Sequence, residues 1–138
     1  MANIPPETGI ILVDHGSTLE SANEMLEEVA REFSEATGLE IVEPAHMELA
    51  EPRIEQAFAR CVERGAKQVV ILLYFLSPGR HSMRDIPSMA AEAATDFPGV
   101  PYWVSAPLGV DLRMNDVLLR RAEEALAEDA WTENGPAG

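Results

Sequence analysis

The chain has 138 residues, 46% hydrophobic and 25% charged, a composition that supports one buried core and lies outside the low-hydrophobicity range of disordered segments. Twenty-four acidic residues against ten basic ones give a formal net charge of -14, so a nucleic-acid groove, which needs clustered Lys and Arg, is not expected. The longest apolar run, Val69 to Leu76, falls far short of the roughly 20 residues that cross a bilayer, so no membrane partner is expected either.

Gly9 to Val13 is a continuous β-branched run, the pattern of a strand buried on both faces of a parallel sheet. It leads into Asp14-His15-Gly16. Ser17 and Glu20 read as a capping box for a first helix, with Leu19, Ala22, Leu26, Val29, Phe33 and Ala36 at helical spacing and Gly38 ending it. Leu39 to Pro44 reads as a weaker strand. Pro52 then fits the first turn of a second helix that turns Ile54, Ala57, Phe58, Cys61 and Val62 inward until Gly65. Gln68 to Leu73 is the strongest strand pattern, and a loop through Ser77-Pro78-Gly79-Arg80-His81 follows it. Asp85 is expected to cap a third helix with Pro87 in its first turn, running to Phe97. Tyr102 to Ser105 makes a fourth strand. Asp111 is expected to cap a last helix carrying Leu112, Val117, Leu118, Ala122, Ala125 and Leu126.

Strand then helix, four times over, predicts an α/β fold: a four-stranded parallel sheet flanked by helices, flavodoxin-like, with right-handed crossovers. One domain is expected over residues 1–127, with 128–138 as a disordered tail. In a 2-1-3-4 strand order the ligand crevice lies beyond the ends of strands one and three. His15 and His81 follow those two strands, and Glu48 with His46 follows strand two. Two imidazoles and a carboxylate at one mouth suit a borderline divalent cation such as zinc, iron, cobalt or nickel.

Each residue also has a structural reading. A lone His after a strand is commonly a hydrogen-bonded structural group, and nothing in the spacing of His46 requires it to face the crevice. Asp14 points opposite to His15 by strand alternation and is read as a structural hydrogen-bonding group. Gly16 and Ser17, at a helix start, can present backbone N–H groups to an anion or simply form a tight turn. Arg80 and Arg84 with His81 can supply a local positive patch on an acidic chain. Leu76, Met83 and Met89 are candidate pocket walls. Cys61 is read as a small buried hydrophobe without a catalytic role. The nucleophile elbow and the common nucleotide-binding glycine motifs do not occur.

Leu12-Val13-Asp14-His15-Gly16-Ser17, Glu48-Leu49-Ala50-Glu51-Pro52, Tyr74 through His81, Asp85-Ile86-Pro87 and Pro107-Leu108-Gly109 in that order closely resemble the short CbiX and SirB-type sirohydrochlorin chelatases, the class II chelatases. The resemblance covers roughly residues 9 to 127. It implies a chelatase half-fold and a lyase that inserts Co²⁺ or Fe²⁺ into the tetrapyrrole sirohydrochlorin, for cobalamin or sirohaem. It further implies that His15, His81 and Glu48 handle the metal, that the metal is a substrate with no prosthetic group, and that the short chain pairs into a homodimer. Arg80, Arg84 and Ser17 are the candidate contacts to substrate carboxylates. Two departures stand out: Thr18 occupies a position where the family frequently has Arg, and His46 can add a nitrogen ligand near Glu48.

The sequence leaves two other readings open, a metal or tetrapyrrole carrier without turnover and a regulatory flavodoxin-like binding domain. The first residues carry no basic stretch followed by an apolar one, so a cytoplasmic location is the expectation.

Overall fold

The computed structural model describes residues 3–77, 79–127, 131–132 and 135–136, and for His81 and the last four of these the backbone alone. Contacts divide the chain into two compact units, Met1–Leu108 and Gly109–Gly138. The single domain expected over residues 1–127 therefore spans the first unit and the helix of the second.

In the first unit, β1 (Thr8–Asp14), β2 (Val42–His46), β3 (Gln68–Leu73) and β4 (Tyr102–Val104) form one parallel sheet in the order β2-β1-β3-β4. This is the expected 2-1-3-4 arrangement. Side chains alternate across β1, and each face meets a different helix layer. Ile10 and Leu12 pack with Leu26 and Ala30 of α1 (Glu20–Thr37), while Ile11 and Val13 pack with Ile54, Phe58 and Cys61 of α2 (Ile54–Glu63) and Ile86 and Ala90 of α3 (Arg80–Ala94).

Four local expectations are corrected. β2 begins three residues late and runs through Pro44 to His46, because an edge strand tolerates a residue without an N–H. α2 starts at Ile54, two residues beyond Pro52, where the Arg53 N–H donates to Gln56 Oε1 at 2.7 Å. α1 starts without the Ser17–Glu20 box: its N-cap position is Leu19, with no side-chain cap. Instead Asn23 clasps the backbone of Ser17, its Oδ1 accepting the Ser17 N–H at 3.0 Å and its Nδ2 donating to the Ser17 carbonyl at 2.8 Å. α3 starts at Arg80, five residues before Asp85. There the Gly79 N–H donates to Ser82 Oγ at 2.9 Å and Ser82 Oγ donates back to the Gly79 carbonyl at 3.0 Å. Pro87 therefore lies inside the helix, where its missing N–H leaves the Met83 carbonyl without a helical donor.

In the second unit α4 (Met114–Leu126) buries none of its residues, and Leu118 and Leu126 are 65% and 90% exposed. Asp111 Oδ1 accepts the Arg113 N–H at 2.9 Å, just ahead of the helix it was expected to cap. The expected disordered tail 128–138 lies mostly outside the described residues; Trp131–Thr132 and Gly135–Pro136 pair as a short antiparallel ladder.

Candidate metal centre

The backbone pairing of β1 with β2 continues past both strand ends. The Met47 N–H donates to the Asp14 carbonyl at 2.8 Å and the Glu48 N–H to the His15 carbonyl at 3.1 Å, so His15 and Glu48 emerge side by side at the sheet's C-terminal edge. Gly16 makes this approach feasible. Its φ is +89°, and a Cβ there would meet the Glu48 carbonyl oxygen at 1.9 Å. Leu49 follows with φ 72°, a left-handed conformation that a branched aliphatic residue adopts only under constraint.

His15 is exposed, its ring centroid 4.6 Å from that of Phe75 with the planes tilted by 32°. Phe75 in turn packs against the core, so the aromatic contact supports one face of the imidazole. His15, Glu48 and Arg80 line one cleft of about 390 Å³, together with Met47, Gly79, Ser82 and Asp85. The backbone of His81 is in the first turn of α3, directly after Arg80. Among the described residues no three His, Cys, Asp or Glu side chains already stand in a metal-ligating group.

The other candidates fall elsewhere. Ser17 lines a separate cleft of about 290 Å³ with Thr18 and His46, and its backbone N–H is taken by Asn23. Arg84 is exposed on α3 and is not among the residues lining the 390 Å³ cleft. Of the expected pocket walls, Leu76 and Met83 are exposed, while Met89 packs against the core instead.

His46 is fully buried, and its Nδ1 lies 2.6 Å from Asp14 Oδ1, so the structural hydrogen bond expected of Asp14 is made to this histidine. Sequence reasoning missed Asp85 as a cleft residue by reading it as a helix cap. Position 85 lies one helical turn beyond 81, and that i, i+4 spacing was the available signal once the helix starts at Arg80.

Cys61 stays outside the site. Burial beneath β1, with a further push from Glu43 opposed by Arg64, raises its thiol to about 12, which removes thiolate character at neutral pH.

Residues 9–125 match the family model described as CbiX. The chain is 53% identical over 119 residues to the chloroplastic sirohydrochlorin ferrochelatase of Arabidopsis thaliana, covering 86% of this chain and 53% of that protein. It is 33% identical over 123 residues to the sirohydrochlorin cobaltochelatase of Sulfolobus acidocaldarius, covering 86% of this chain and 93% of that one. Among solved structures, the sirohydrochlorin chelatase SirB from Bacillus subtilis subspecies spizizenii, in complex with cobalt, superposes with a TM-score of 0.73 at 27% identity. That superposition covers 85% of this chain and 50% of the other. The chain thus spans about half the length of the plant and Bacillus proteins and nearly all of the archaeal one.

Proposed function

Because the chain belongs to the CbiX family, we propose that it is a sirohydrochlorin chelatase, inserting Fe²⁺ or Co²⁺ into the macrocycle at the cleft beyond β1 and β3. The observation that carries this reading is the convergence of His15, Glu48 and Arg80 on one cleft next to the first turn of α3. The higher identity to a ferrochelatase than to a cobaltochelatase, 53% against 33%, favours iron.

Insertion requires partial dehydration of the metal, removal of two pyrrole protons and anchoring of a polycarboxylate ring. His15 and His81 with Glu48 hold the metal substrate, and Glu48 and a freed imidazole accept the two pyrrole protons, one each, as the metal passes to the ring nitrogens. Arg80 in the cleft, Arg84 one turn along α3 and the positive end of that helix supply the local attraction that a -14 chain needs for an anionic substrate. Ser17 is the least direct of the proposed substrate contacts, since it lines the neighbouring cleft. No prosthetic group is required by this scheme.

One observation supports a homodimer: Leu112 ahead of α4, and Leu118 and Leu126 on it, are exposed. Sedimentation velocity checks it, a monomer at micromolar concentration being the contrary result. A cytoplasmic location is part of the proposal; the relative from Arabidopsis is named as chloroplastic, and cell fractionation separates the two cases.

The decisive experiment is anaerobic absorbance of the protein with sirohydrochlorin and Fe²⁺ or Co²⁺, against a no-protein control and His81→Ala. Faster conversion with the native chain alone establishes insertion. Stoichiometric binding at the control rate would make it a carrier, and no binding a regulatory domain.

A further inference from the structure

On the other side of the β2 exit from the cleft of His15 and Glu48, we infer a second divalent-cation site, built on the imidazole of His46 and a stripe of glutamates. His46 is 1% exposed and its Nδ1 is engaged by Asp14 Oδ1 at 2.6 Å. Among the described residues Nε2 has no hydrogen-bond partner, yet no buried side-chain nitrogen is left unsatisfied. Nε2 is therefore the atom through which this buried ring reaches the surface, and the surface it reaches is the 290 Å³ cleft that His46 lines.

A carboxylate on one imidazole nitrogen with the other nitrogen facing a polar cavity is the outer-shell arrangement of metal-ligating histidines. The carboxylate holds the proton on Nδ1 and orients the ring, which leaves Nε2 as the free acceptor.

The same cleft is lined by Glu20, Glu24 and Glu27 of α1 and by Glu51, and no Lys or Arg lines it. Glu20, Glu24 and Glu27 stand at i, i+4 and i+7, one face of the helix, and like charges at this spacing destabilise a helix. A cation between them relieves that repulsion. One imidazole nitrogen plus carboxylate oxygens suits the borderline divalent ions, cobalt, ferrous iron, nickel and zinc, better than calcium or magnesium. All four glutamates are exposed, so they close on the ion by side-chain rotation. This agrees with the lack of a preassembled three-ligand group among the described residues.

The wall between the two clefts is the contact of Gly16 with the Glu48 carbonyl and with His46 Cβ, where a Cβ on Gly16 would fall 1.9 and 3.1 Å away. The segment from His46 to Glu48 thus carries a nitrogen toward one cleft and a carboxylate toward the other. The second site is a holding site for the metal alone and does not depend on tetrapyrrole insertion.

Equilibrium dialysis of the metal-free chain against Co²⁺, with the cobalt d–d absorption as a second readout, tests it. Two bound equivalents are expected for the native chain, one for His15→Ala/Glu48→Gln and one for His46→Asn, with different spectra for the two single-site chains. Asparagine keeps a donor for Asp14 while removing Nε2. Should His46→Asn fail to fold, Glu20→Gln/Glu24→Gln/Glu51→Gln, which alters only exposed side chains, decides: loss of one equivalent is expected. Unchanged stoichiometry in these variants overturns the second site. A native chain that binds one equivalent, lost in His15→Ala/Glu48→Gln, overturns it as well; one equivalent retained there and lost in His46→Asn keeps the second site and removes His15 and Glu48 as metal ligands.

Discussion

His46 and Asp14 are register partners at the ends of β2 and β1, and their side chains meet at 2.6 Å between Nδ1 and Oδ1. Each lies within two residues of a proposed metal ligand, Asp14 next to His15 and His46 two before Glu48. The pair ties the two strand ends together just before they enter the site loops, one step ahead of the Glu48–His15 backbone bond.

Asp14→Ala should therefore destabilise the chain. It leaves a buried imidazole nitrogen without its partner, a loss of about 1–3 kcal/mol. Urea unfolding followed by circular dichroism measures it. A change below about 0.5 kcal/mol, the range of an inconsequential surface substitution, would show that the pair is not structural.

Gly16→Ala is expected to be worse for metal binding than for folding. The added Cβ meets a carbonyl oxygen at 1.9 Å and a backbone held at φ +89°, a strain of order 1–3 kcal/mol that is relieved by pushing Glu48 away from His15. Co²⁺ affinity at the His15 site should fall at least tenfold while the far-ultraviolet dichroism persists. Undiminished affinity would mean that the spacing of these two residues does not matter.

Arg80 separates binding from chemistry. If it meets substrate carboxylates rather than the metal, Arg80→Ala should raise the KM for sirohydrochlorin about tenfold or more, the loss of one charge-assisted hydrogen bond, and leave Co²⁺ binding unchanged. A fall in kcat with constant KM would assign it to the insertion step instead.

The strands were readable because buried parallel strands are written as short apolar, largely β-branched runs, Gly9 to Val13 and Gln68 to Leu73, whereas their order rested on the topology assumed for a flavodoxin-like sheet. Element starts were less readable where one signal fits two structures. Asp85-Ile86-Pro87 spells a cap followed by a first-turn proline, yet the Gly79–Ser82 exchange nucleates α3 earlier and the helix accommodates Pro87. Ser17-x-x-Glu20 spells a capping box, yet Asn23 captures Ser17 first. In the site, His15 and Glu48 were legible because both follow strands. The burial of His46 was not, since it depends on β2 extending through Pro44, and so the orientation of its ring could come only from the structure.

Cys61 offers a test of the core independent of the site. Its thiol ionises near 9.0 when free and near 12 in the folded chain, burial being the main cause. Between those values the unfolded chain loses the proton and the folded chain keeps it, so the folded state binds more protons and stability falls as pH rises. The contribution is fully present below pH 9.0 and declines by up to about 1.4 kcal/mol per unit toward pH 12. At pH 8 the thiol should resist iodoacetamide until the chain is unfolded in urea, and Cys61→Ala should flatten the alkaline limb of a stability-versus-pH curve even as its cavity lowers the plateau. Rapid alkylation of the native chain would show that the α2 layer opens beneath β1, and would place the sulfur in a far wetter environment than its complete burial implies.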